Sequence, residues 1–365
     1  MPIATDIKRE LFAALSWRTE ARAAGMTAER GVRMRDRVGH LMRWARAHDS
    51  LPEIENRAVI LCFHGVVAHQ PDPDVECEHV HVARFRQLLR VIRRSFHPLA
   101  LAELVDCIRQ RVSPPPKSVV ITFDDGYANN AEVAAEELDR FRMPWSAFLP
   151  AQLIETGTYQ WIDDVRLLVH GGGARSVCLP GDDGPLTLHL ETRDARHEAV
   201  RAIHQLCRYV PDDVRRARLA HLYAAFPTGL LEELRARYRS FAPMTWEQAR
   251  QLKSAGVDVG SHSLTHTALG PQSPEAIRHE VFAARALLQA RIGEHCPHFS
   301  YPYGRRASLS QQTEAVLFEA GYNCALTLEP DVVRCDEVNL LQLPRLIVSP
   351  LIGRMVFNLW QRFLR

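Results

Sequence analysis

The sequence predicts an α/β fold built around parallel strands, and three observations support this prediction. Short β-branched runs typical of buried strands alternate with segments that have helical spacing of apolar residues. Two of these runs, at 119–126 and 257–266, end abruptly in polar side chains. The chain has 365 residues, 46% of them hydrophobic, which is enough for the core of one large α/β barrel domain.

The predicted organisation begins with a helical extension over residues 1–57. Asp6 can cap a first helix, and an amphipathic stretch at 33–47 predicts a second one. The main domain is predicted to run from 58 to 350. It opens with the apolar run Val59–Phe63, which predicts a buried strand that ends in His64.

Helices and strands then alternate in the order expected for parallel strands joined by helices. Three prolines at 114–116 stop one helix just before the strand that carries the acidic motif. Predicted helices cover 83–95, 101–111 and 131–141, and predicted strands cover 119–122 and 145–149.

An insertion interrupts this alternation between about 151 and 243. Trp161 begins a helix that the three glycines at 171–173 break, and the stretch 177–190 is typical of a hairpin. Helices between 193 and 237 complete the insertion. Such a segment shapes the substrate cleft in one interpretation and is a purely structural cap in the other.

The remaining elements follow the barrel pattern again. Predicted helices start at Thr245, cover 274–292 and end near Ala320, and predicted strands lie near 323–326 and 340–343. The last segment, 351–365, predicts an amphipathic helix with Arg between apolar pairs. This helix packs on the barrel in one interpretation and touches a membrane surface in the other.

Charge and cysteine content limit the classes of function and location. The net charge is only +2, and the basic residues do not cluster as a nucleic-acid-binding face would require. The eight cysteines form no Cys-x-x-Cys pair, and no apolar run reaches transmembrane length. We therefore expect free thiols, no nucleic-acid partner and a cytoplasmic location; peripheral contact at the inner membrane face belongs to the second of the two interpretations of the C-terminal helix.

The candidate site is predicted from two strand ends. Asp124 and Asp125 follow one predicted strand, and His262 and His266 follow another. Carboxyl ends of parallel strands lie at one edge of a sheet, so these side chains can meet in a two-His, one-carboxylate metal site with open coordination positions. Ser263 follows the first histidine, which excludes the helical His-Glu motif of zinc proteases.

Three motifs carry a family resemblance. They are Thr-Phe-Asp-Asp-Gly-Tyr at 122–127, Ser-His-Ser-Leu-Thr-His at 261–266 and Tyr-Pro-Tyr-Gly at 301–304. In this order they resemble the polysaccharide deacetylases of carbohydrate esterase family four, the chitooligosaccharide deacetylase-like group, from about Val59 to Val348. The resemblance implies a distorted (β/α) barrel, a divalent metal ion and hydrolysis of an N-acetyl, sometimes O-acetyl, group on a sugar.

The resemblance also implies roles for individual residues. Asp125, His262 and His266 correspond to the metal ligands, and Asp124 corresponds to the base that takes a proton from water. Tyr303 corresponds to the residue whose backbone N–H helps to bind the oxyanion. Zinc is the expected ion, with cobalt, nickel or manganese as alternatives.

Two departures from the family pattern change the remaining assignments. Ser300 stands where many members have the Arg that pairs with the base, and no Leu-x-His sequence supplies the usual general acid. His64 and Arg345 resemble a subset with an early strand-end His and a closing Leu-Pro-Arg. We therefore expect His64 to act as the general acid and Arg345 to hold Asp124, because the first and last strands of a barrel are neighbours.

Bland alternatives exist for both assignments. A strand-end histidine such as His64 is often only hydrogen-bonded to a loop, and Arg345 could pair with Asp336 or Glu337 instead. The predicted function is removal of an N-acetyl group from a sugar of a polysaccharide, oligosaccharide or lipid-linked glycan. The alternatives are a deformylase, an O-acetyl esterase, and a barrel that binds sugar without turnover.

Overall fold

The computed structural model describes residues 56–293 and 296–348. The predicted extension at 1–57, apart from its last two residues, and the predicted helix at 351–365 lie outside this part of the chain. Both remain predictions. Among the described residues, no helix is both long enough and apolar enough to cross a bilayer.

Most strands are short and buried, as their β-branched composition predicts. They are β1 (Arg57–Phe63), β2 (Gly65–Val67), β3 (His79–His81), β4 (His97–Pro98), β5 (Ser118–Phe123), β6 (Trp145–Leu149), β7 (Ser176–Gly181), β8 (Gly184–His189), β9 (Asp258–Ser261), β10 (His298–Ser300), β11 (Cys324–Leu326), β12 (Val333–Arg334) and β13 (Leu346–Ile347).

The helices begin close to the predicted positions, several at side-chain caps such as Thr245 and Ser273. They are α1 (Val82–Ser95), α2 (Leu101–Gln110), α3 (Ala135–Arg140), α4 (Ala151–Thr156), α5 (Trp161–Gly171), α6 (Arg193–Arg208), α7 (Asp212–Ala224), α8 (Leu230–Arg237), α9 (Trp246–Ser254), α10 (Pro274–Ile292) and α11 (Gln311–Glu319).

The helix expected at 131–141 differs from the prediction at its start. A π-helical segment, Asn130–Ala134, precedes α3, and the N–H of Ala135 donates to the carbonyl of Asn130. Such wide turns often lie at functional sites because they redirect the chain locally. This one follows the acidic motif directly.

The central sheet is almost entirely parallel. Its strand order is β11-β10-β9-β6-β5-β1-β12, and only the contact between β1 and β12 is antiparallel. The register pairs Phe63 with Phe123, and Ser261 with both Leu149 and Phe299. The residues that follow β1, β5, β9 and β10 therefore lie at one edge of the sheet.

The segment 343–348 brings the two sides of the sheet together. The N–H of Leu343 donates to Ala325 next to β11, and β13 pairs in parallel with β1. The sheet is thus curled into a nearly closed barrel with helices outside, which confirms the predicted α/β barrel class. Closure also brings the chain after β11 beside the strand that precedes His64.

The strand predicted at 340–343 is wrong. Leu340–Gln342 forms a 3-10 turn, and Leu343 alone makes an isolated bridge with Leu326. The side chain of Asn339 accepts a hydrogen bond from the N–H of Leu341, which favours a turn, and Pro344 has no N–H to continue a ladder. Arg345 consequently precedes the last strand, β13, and does not follow it.

The residues between 151 and 243 build a second apolar core beside the barrel. Helices α5–α8 pack together with the β7–β8 hairpin, as expected from the sequence. Tyr127 and Val75 join this core from the barrel side, while the barrel core itself is formed by the strand and helix faces around Phe63 and Phe123. The insertion therefore lies against the loops that follow the strands.

Candidate active site

The candidate active site lies at the edge where the parallel strands end. Asp124 and Asp125 follow β5, and His262 follows β9. The N–H of Asp124 still donates to Phe63, and the N–H of His262 still donates to Leu149. These two backbone bonds extend the sheet by one residue and fix the side chains relative to the barrel.

Asp125, His262 and His266 form the one group among the described residues that could hold a metal ion. Their ligand atoms all lie within 4.8 Å of one another. The Oδ1 atom of Asp125 is 3.1 Å from Nε2 of His266 and 3.6 Å from Nε2 of His262. All three side chains are buried, so the predicted ligand set is assembled by the fold.

The donor set fits a divalent ion. Nδ1 of His262 lies 2.8 Å from the carbonyl of Ser300, so this nitrogen donates and leaves Nε2 free to bind a cation. Nε2 of His266 points to the same carboxylate oxygen as Nε2 of His262. Two imidazoles and one carboxylate match the open sites of metal-dependent hydrolases.

Electrostatics keep the carboxylate of Asp125 charged. Burial raises its pKa, but hydrogen bonds from His262 and His266, together with the nearby imidazole of His64, lower the pKa well below its usual range. Burial lowers the pKa of His262, while the charges of Asp124 and Asp125 raise it to a net increase. Protons and a metal ion therefore compete for the same nitrogen, which makes binding weaker in acid.

Arg345 is the partner of Asp124. The side chain is fully buried, and its Nη1 and Nη2 atoms donate to Oδ1 and Oδ2 of Asp124 at 2.8 and 2.5 Å. Nη2 also donates to Ser300 Oγ at 2.7 Å, which in turn donates to Asp124 at 3.1 Å. The predicted pairing is present, whereas Asp336 and Glu337 are not its partners.

This pairing sets the charge state of Asp124. Burial raises the pKa of its carboxyl group, but the adjacent Arg345 guanidinium and the His262 imidazole lower the pKa to about 2. The carboxylate is therefore ionised at neutral pH. The hydroxyl of Ser300 carries no charge, so it completes the hydrogen bonds around Asp124 while Arg345 supplies the positive charge.

The Tyr303 loop borders the metal ligands. Its ring lies edge-on to His266 with 4.9 Å between centroids, and its hydroxyl accepts a hydrogen bond from Trp161 Nε1 at 2.9 Å. Tyr303 has φ of 62°, and Asp125, Ser263 and His266 also have positive φ. Four of the eight described non-glycine residues with positive φ thus lie in this site, where local strain positions functional groups.

His64 lies at the same edge, immediately after β1. Its imidazole is near enough to Asp124, Asp125 and Glu78 to act on the charge of each. The structure therefore brings every predicted site residue to one end of the barrel. The individual roles of these residues remain predictions.

Sequence reasoning missed two sets of supporting residues. Glu280 in α10 accepts hydrogen bonds from the N–H groups of Leu264 and Thr265, both at 3.0 Å, and so holds the loop between the histidines. Arg166 bridges Glu78 at 2.9 Å and Asp163 at 3.0 Å. No local motif signals these contacts, because the partners are brought together by packing alone.

Comparison with known proteins defines the class. The sequence profile of the polysaccharide deacetylase family matches residues 223–325, a region that contains His262, His266 and Tyr303. This match confirms the predicted resemblance to the polysaccharide deacetylase family over that region. The acidic motif at 122–127 and Arg345 lie outside the matched region and are connected to it by the fold.

Individual relatives support the same class. The Bacillus subtilis (strain 168) protein YxkH, named as a polysaccharide deacetylase, is 26% identical over 107 residues, which are 29% of this chain and 37% of YxkH. The match thus covers little more than a third of that relative's length.

Two solved structures share the fold. The Streptococcus pyogenes deacetylase PplD in complex with acetate has a TM-score of 0.53 and 16% identity, covering 80% of this chain and 93% of PplD. IcaB from Ammonifex degensii has a TM-score of 0.54 and 17% identity, covering 84% of this chain and 97% of IcaB. The predicted fold class, a deacetylase-type (β/α) barrel, is confirmed by this likeness over most of the chain.

Proposed function

We propose that this protein is a metal-dependent hydrolase that removes an N-acetyl group from an amino sugar of an oligosaccharide, polysaccharide or lipid-linked glycan. The observation that carries the proposal is the buried Asp125, His262 and His266 cluster beside an ionised Asp124. A pure sugar-binding barrel has no need for the buried Asp124–Arg345 pair next to a metal-ligand set. The deacetylase class of the relatives supports the same reaction type.

The metal ion would be held by Asp125, His262 and His266. When bound, a divalent ion lowers the pKa of a coordinated water toward neutrality and polarises the substrate carbonyl. Two nitrogen ligands and one oxygen ligand favour zinc, with cobalt, nickel and manganese as alternatives.

Asp124 supplies the base. Its carboxylate takes a proton from the water that attacks the amide carbon, and Arg345 holds the carboxylate in position through two hydrogen bonds. Because the pKa of Asp124 is about 2, the group begins each turnover ionised and is a weak base by itself. A divalent ion held by Asp125, His262 and His266 would acidify the attacking water and so favour proton transfer to Asp124.

Two further groups complete the chemistry. The backbone N–H of Tyr303 is assigned to the oxyanion that forms on the amide carbonyl, as the resemblance implies. His64 is assigned as the general acid that gives a proton to the leaving amine, since an imidazole can donate a proton near neutral pH. Its place beside Asp124 and Asp125 at the barrel edge supports this assignment.

The deciding experiment measures acyl release from a panel of sugars. Purified protein is incubated with N-acetylated, N-formylated and O-acetylated amino sugars, with and without a chelator and then with added zinc. We expect acetate from the N-acetyl sugars, loss of activity with chelator and recovery with zinc. Release of formate or of ester-derived acetate alone would instead identify a deformylase or an O-acetyl esterase, and sugar binding without any release would identify a non-catalytic barrel.

We also propose a cytoplasmic location with contact at the inner membrane face. None of the eight cysteines forms a disulfide, as expected in a reducing cytoplasm. The amphipathic segment 351–365 would bring a lipid-linked glycan to the site by touching the inner membrane face. Liposome co-sedimentation of the full chain and of a 1–350 fragment tests this contact, because equal binding by both would assign no membrane role to the segment.

A further inference from the structure

A cavity of about 760 Å³ extends from the candidate metal site into the insertion. His266 and Thr265 border it at the metal end, and helices α5, α7 and α8 of the insertion form most of its wall. We call this cavity the side cleft. Its volume lies within the range of small-molecule sites, which is about 300–1,000 Å³.

The side cleft contains polar atoms without partners. Gln160 lines it and is 4% exposed, yet neither its side-chain oxygen nor its nitrogen has a hydrogen-bond partner among the described residues. Nη1 of Arg215 in the same wall is also buried without one. Burying a polar group without a hydrogen-bond partner is unfavourable, so a wall of this kind suits a ligand that pairs with these atoms.

The polar groups define the chemistry of that ligand. The carboxamide of Gln160 offers an NH2 group that donates and a carbonyl oxygen that accepts, a combination that two neighbouring hydroxyl groups can satisfy together. An alkyl chain would leave both atoms unpaired. The side chain of Gln160 is not used to cap α5, so it is available for a ligand.

The charges of the wall favour a neutral ligand. Arg215 and Arg216 both pair with Asp212, and Arg235 makes two hydrogen bonds to Asp164 at 2.9 and 2.6 Å. The wall also contains Glu232, so its three arginines are balanced by three carboxylates and an anionic group would gain little. The remaining wall includes the aromatic rings of Trp161, Tyr223 and Phe226, which give apolar faces suited to the C–H surface of a sugar ring.

We propose that the side cleft binds a second, neutral sugar residue of the substrate, next to the acylated sugar at the metal site. The proposal rests on the function proposed above and narrows the substrate to chains of at least two sugars. Gln160 and Arg215 are assigned as specificity-determining residues that hydrogen-bond this second sugar.

The test compares substrate lengths in matched variants. The kcat/KM for acetate release is measured with an N-acetylhexosamine monosaccharide and with its disaccharide for the wild type, Gln160→Leu and Gln152→Leu. Gln152 is exposed and lies outside the side cleft, so its variant serves as the control. We expect the wild type and the control to prefer the disaccharide at least about tenfold, and Gln160→Leu to lose most of this preference.

A second variant, Gln160→Asn, controls for the possibility that Gln160→Leu disturbs folding. It keeps the carboxamide but places it one methylene farther from the ligand. We expect it to lose the length preference at an unchanged melting temperature. The proposal is overturned if the wild type treats both substrates equally, or if Gln160→Leu keeps the preference. An octyl and a methyl glycoside of the monosaccharide are compared in the same way. The proposal is also overturned if the octyl glycoside has the higher kcat/KM in both the wild type and Gln160→Leu while the disaccharide has no advantage over the monosaccharide. This pattern would show that the side cleft binds an apolar aglycone.

Binding separates this inference from the proposed reaction. The same two sugars are titrated calorimetrically into the wild type and Gln160→Leu in the presence of chelator. Tighter binding of the disaccharide that disappears in Gln160→Leu supports the side cleft even if no substrate releases acetate. Acetate release combined with equal binding of both sugars would support the reaction and overturn the side cleft.

Discussion

The neighbouring carboxylates of Asp124 and Asp125 have different surroundings. Asp124 faces Arg345 inside the barrel, whereas Asp125 faces His262 and His266. The positive φ of Asp125 turns the chain between the two side chains. Both groups are ionised, but only Asp125 presents an oxygen to two imidazole nitrogens, so substitutions at the two positions should have separable effects.

The first prediction concerns metal content. Asp125→Ala removes the one carboxylate of the cluster. Loss of a residue that only hydrogen-bonds a metal ligand typically lowers metal affinity by about 10–100-fold, and we expect a larger loss for this variant. Elemental analysis of purified protein after dialysis measures the change. Asp139→Ala, a substitution at an exposed aspartate, is the control and should bind metal normally. Full metal occupancy in Asp125→Ala would show that the ligand assignment is wrong.

The second prediction concerns the base. Asp124→Asn should retain metal while kcat falls by about two to four decades, the usual contribution of a general base. The substitution also leaves Arg345 buried without its ion-pair partner, which should lower the free energy of unfolding by about 3–5 kcal/mol. Activity is therefore assayed well below the melting temperature. Turnover at the wild-type rate would remove Asp124 from the mechanism.

The third prediction tests His64 with two substrates. If His64 protonates the leaving amine, His64→Gln should reduce amide hydrolysis by about 10²-fold or more but reduce hydrolysis of an activated ester by less than about threefold, because that leaving group needs no proton. Steady-state kinetics on both substrates give the comparison. An equal loss on both would mean that His64 positions substrate or supports the fold.

At the scale of the elements, the site residues lie in the loops that follow the strands, and helices distant in sequence stabilise these loops. Glu280 of α10 holds the histidine loop, and Trp161 of α5 holds the Tyr303 loop. The insertion thus makes one described side-chain hydrogen bond to the Tyr303 hydroxyl, and Arg208 and Tyr209 also contact the Tyr303 ring. The hydroxyl is engaged in this hydrogen bond, and the proposed oxyanion-binding group is the backbone N–H of the same residue.

The fourth prediction follows from this division of roles. Tyr303→Phe keeps the backbone N–H and should keep kcat within about threefold, while loss of the Trp161 hydrogen bond lowers the free energy of unfolding by about 1 kcal/mol. Trp161→Phe should lower the free energy of unfolding by the same amount. The double variant should lower it little further, because either substitution alone already removes the hydrogen bond. Kinetics and denaturant unfolding provide both readouts. A hundredfold drop in kcat for Tyr303→Phe would assign the hydroxyl itself to catalysis.

At the scale of the whole molecule, closure of the barrel and docking of the insertion bury ionisable groups. His79 in β3 is 1% exposed, packs between Tyr127 and Phe241, and lies 3.2 Å from the carbonyl of Ser240 through Nε2. Burial lowers its pKa from 6.5 to about 4 despite the nearby charge of Glu76. The neutral imidazole is therefore part of the folded structure.

The fifth prediction is a pH dependence of stability. Because the folded-state pKa of His79 lies below the unfolded value, the unfolded chain binds more protons between pH 6.5 and 4, so stability falls as pH falls through this window. The free energy of unfolding of chelator-treated wild-type protein should therefore decrease between pH 6.5 and 4. In His79→Gln this decrease should be smaller by on the order of 2–3 kcal/mol. The exposed His97→Gln is the control. Identical pH profiles for His79→Gln and wild type would contradict the assignment.

The sequence by itself determined the α/β class, the order of the strands and helices along the chain, and the clustering of Asp125, His262 and His266. These features follow from local patterns, since apolar periodicity identifies the elements and parallel strand ends must share one edge. The positions of the motifs did not indicate which other residues hold them in place. Glu280, Arg166 and Gln160 are ordinary polar residues in the sequence, with no spacing that marks them.

Only the tertiary structure decided how Arg345 reaches Asp124. The predicted strand at 340–343 is a turn instead, and Arg345 enters the barrel just before β13, where it bonds to Asp124 and Ser300. The structure also decided that the insertion forms a cleft beginning at His266. Contacts between residues more than a hundred positions apart depend on packing and strand register, which local sequence patterns do not encode.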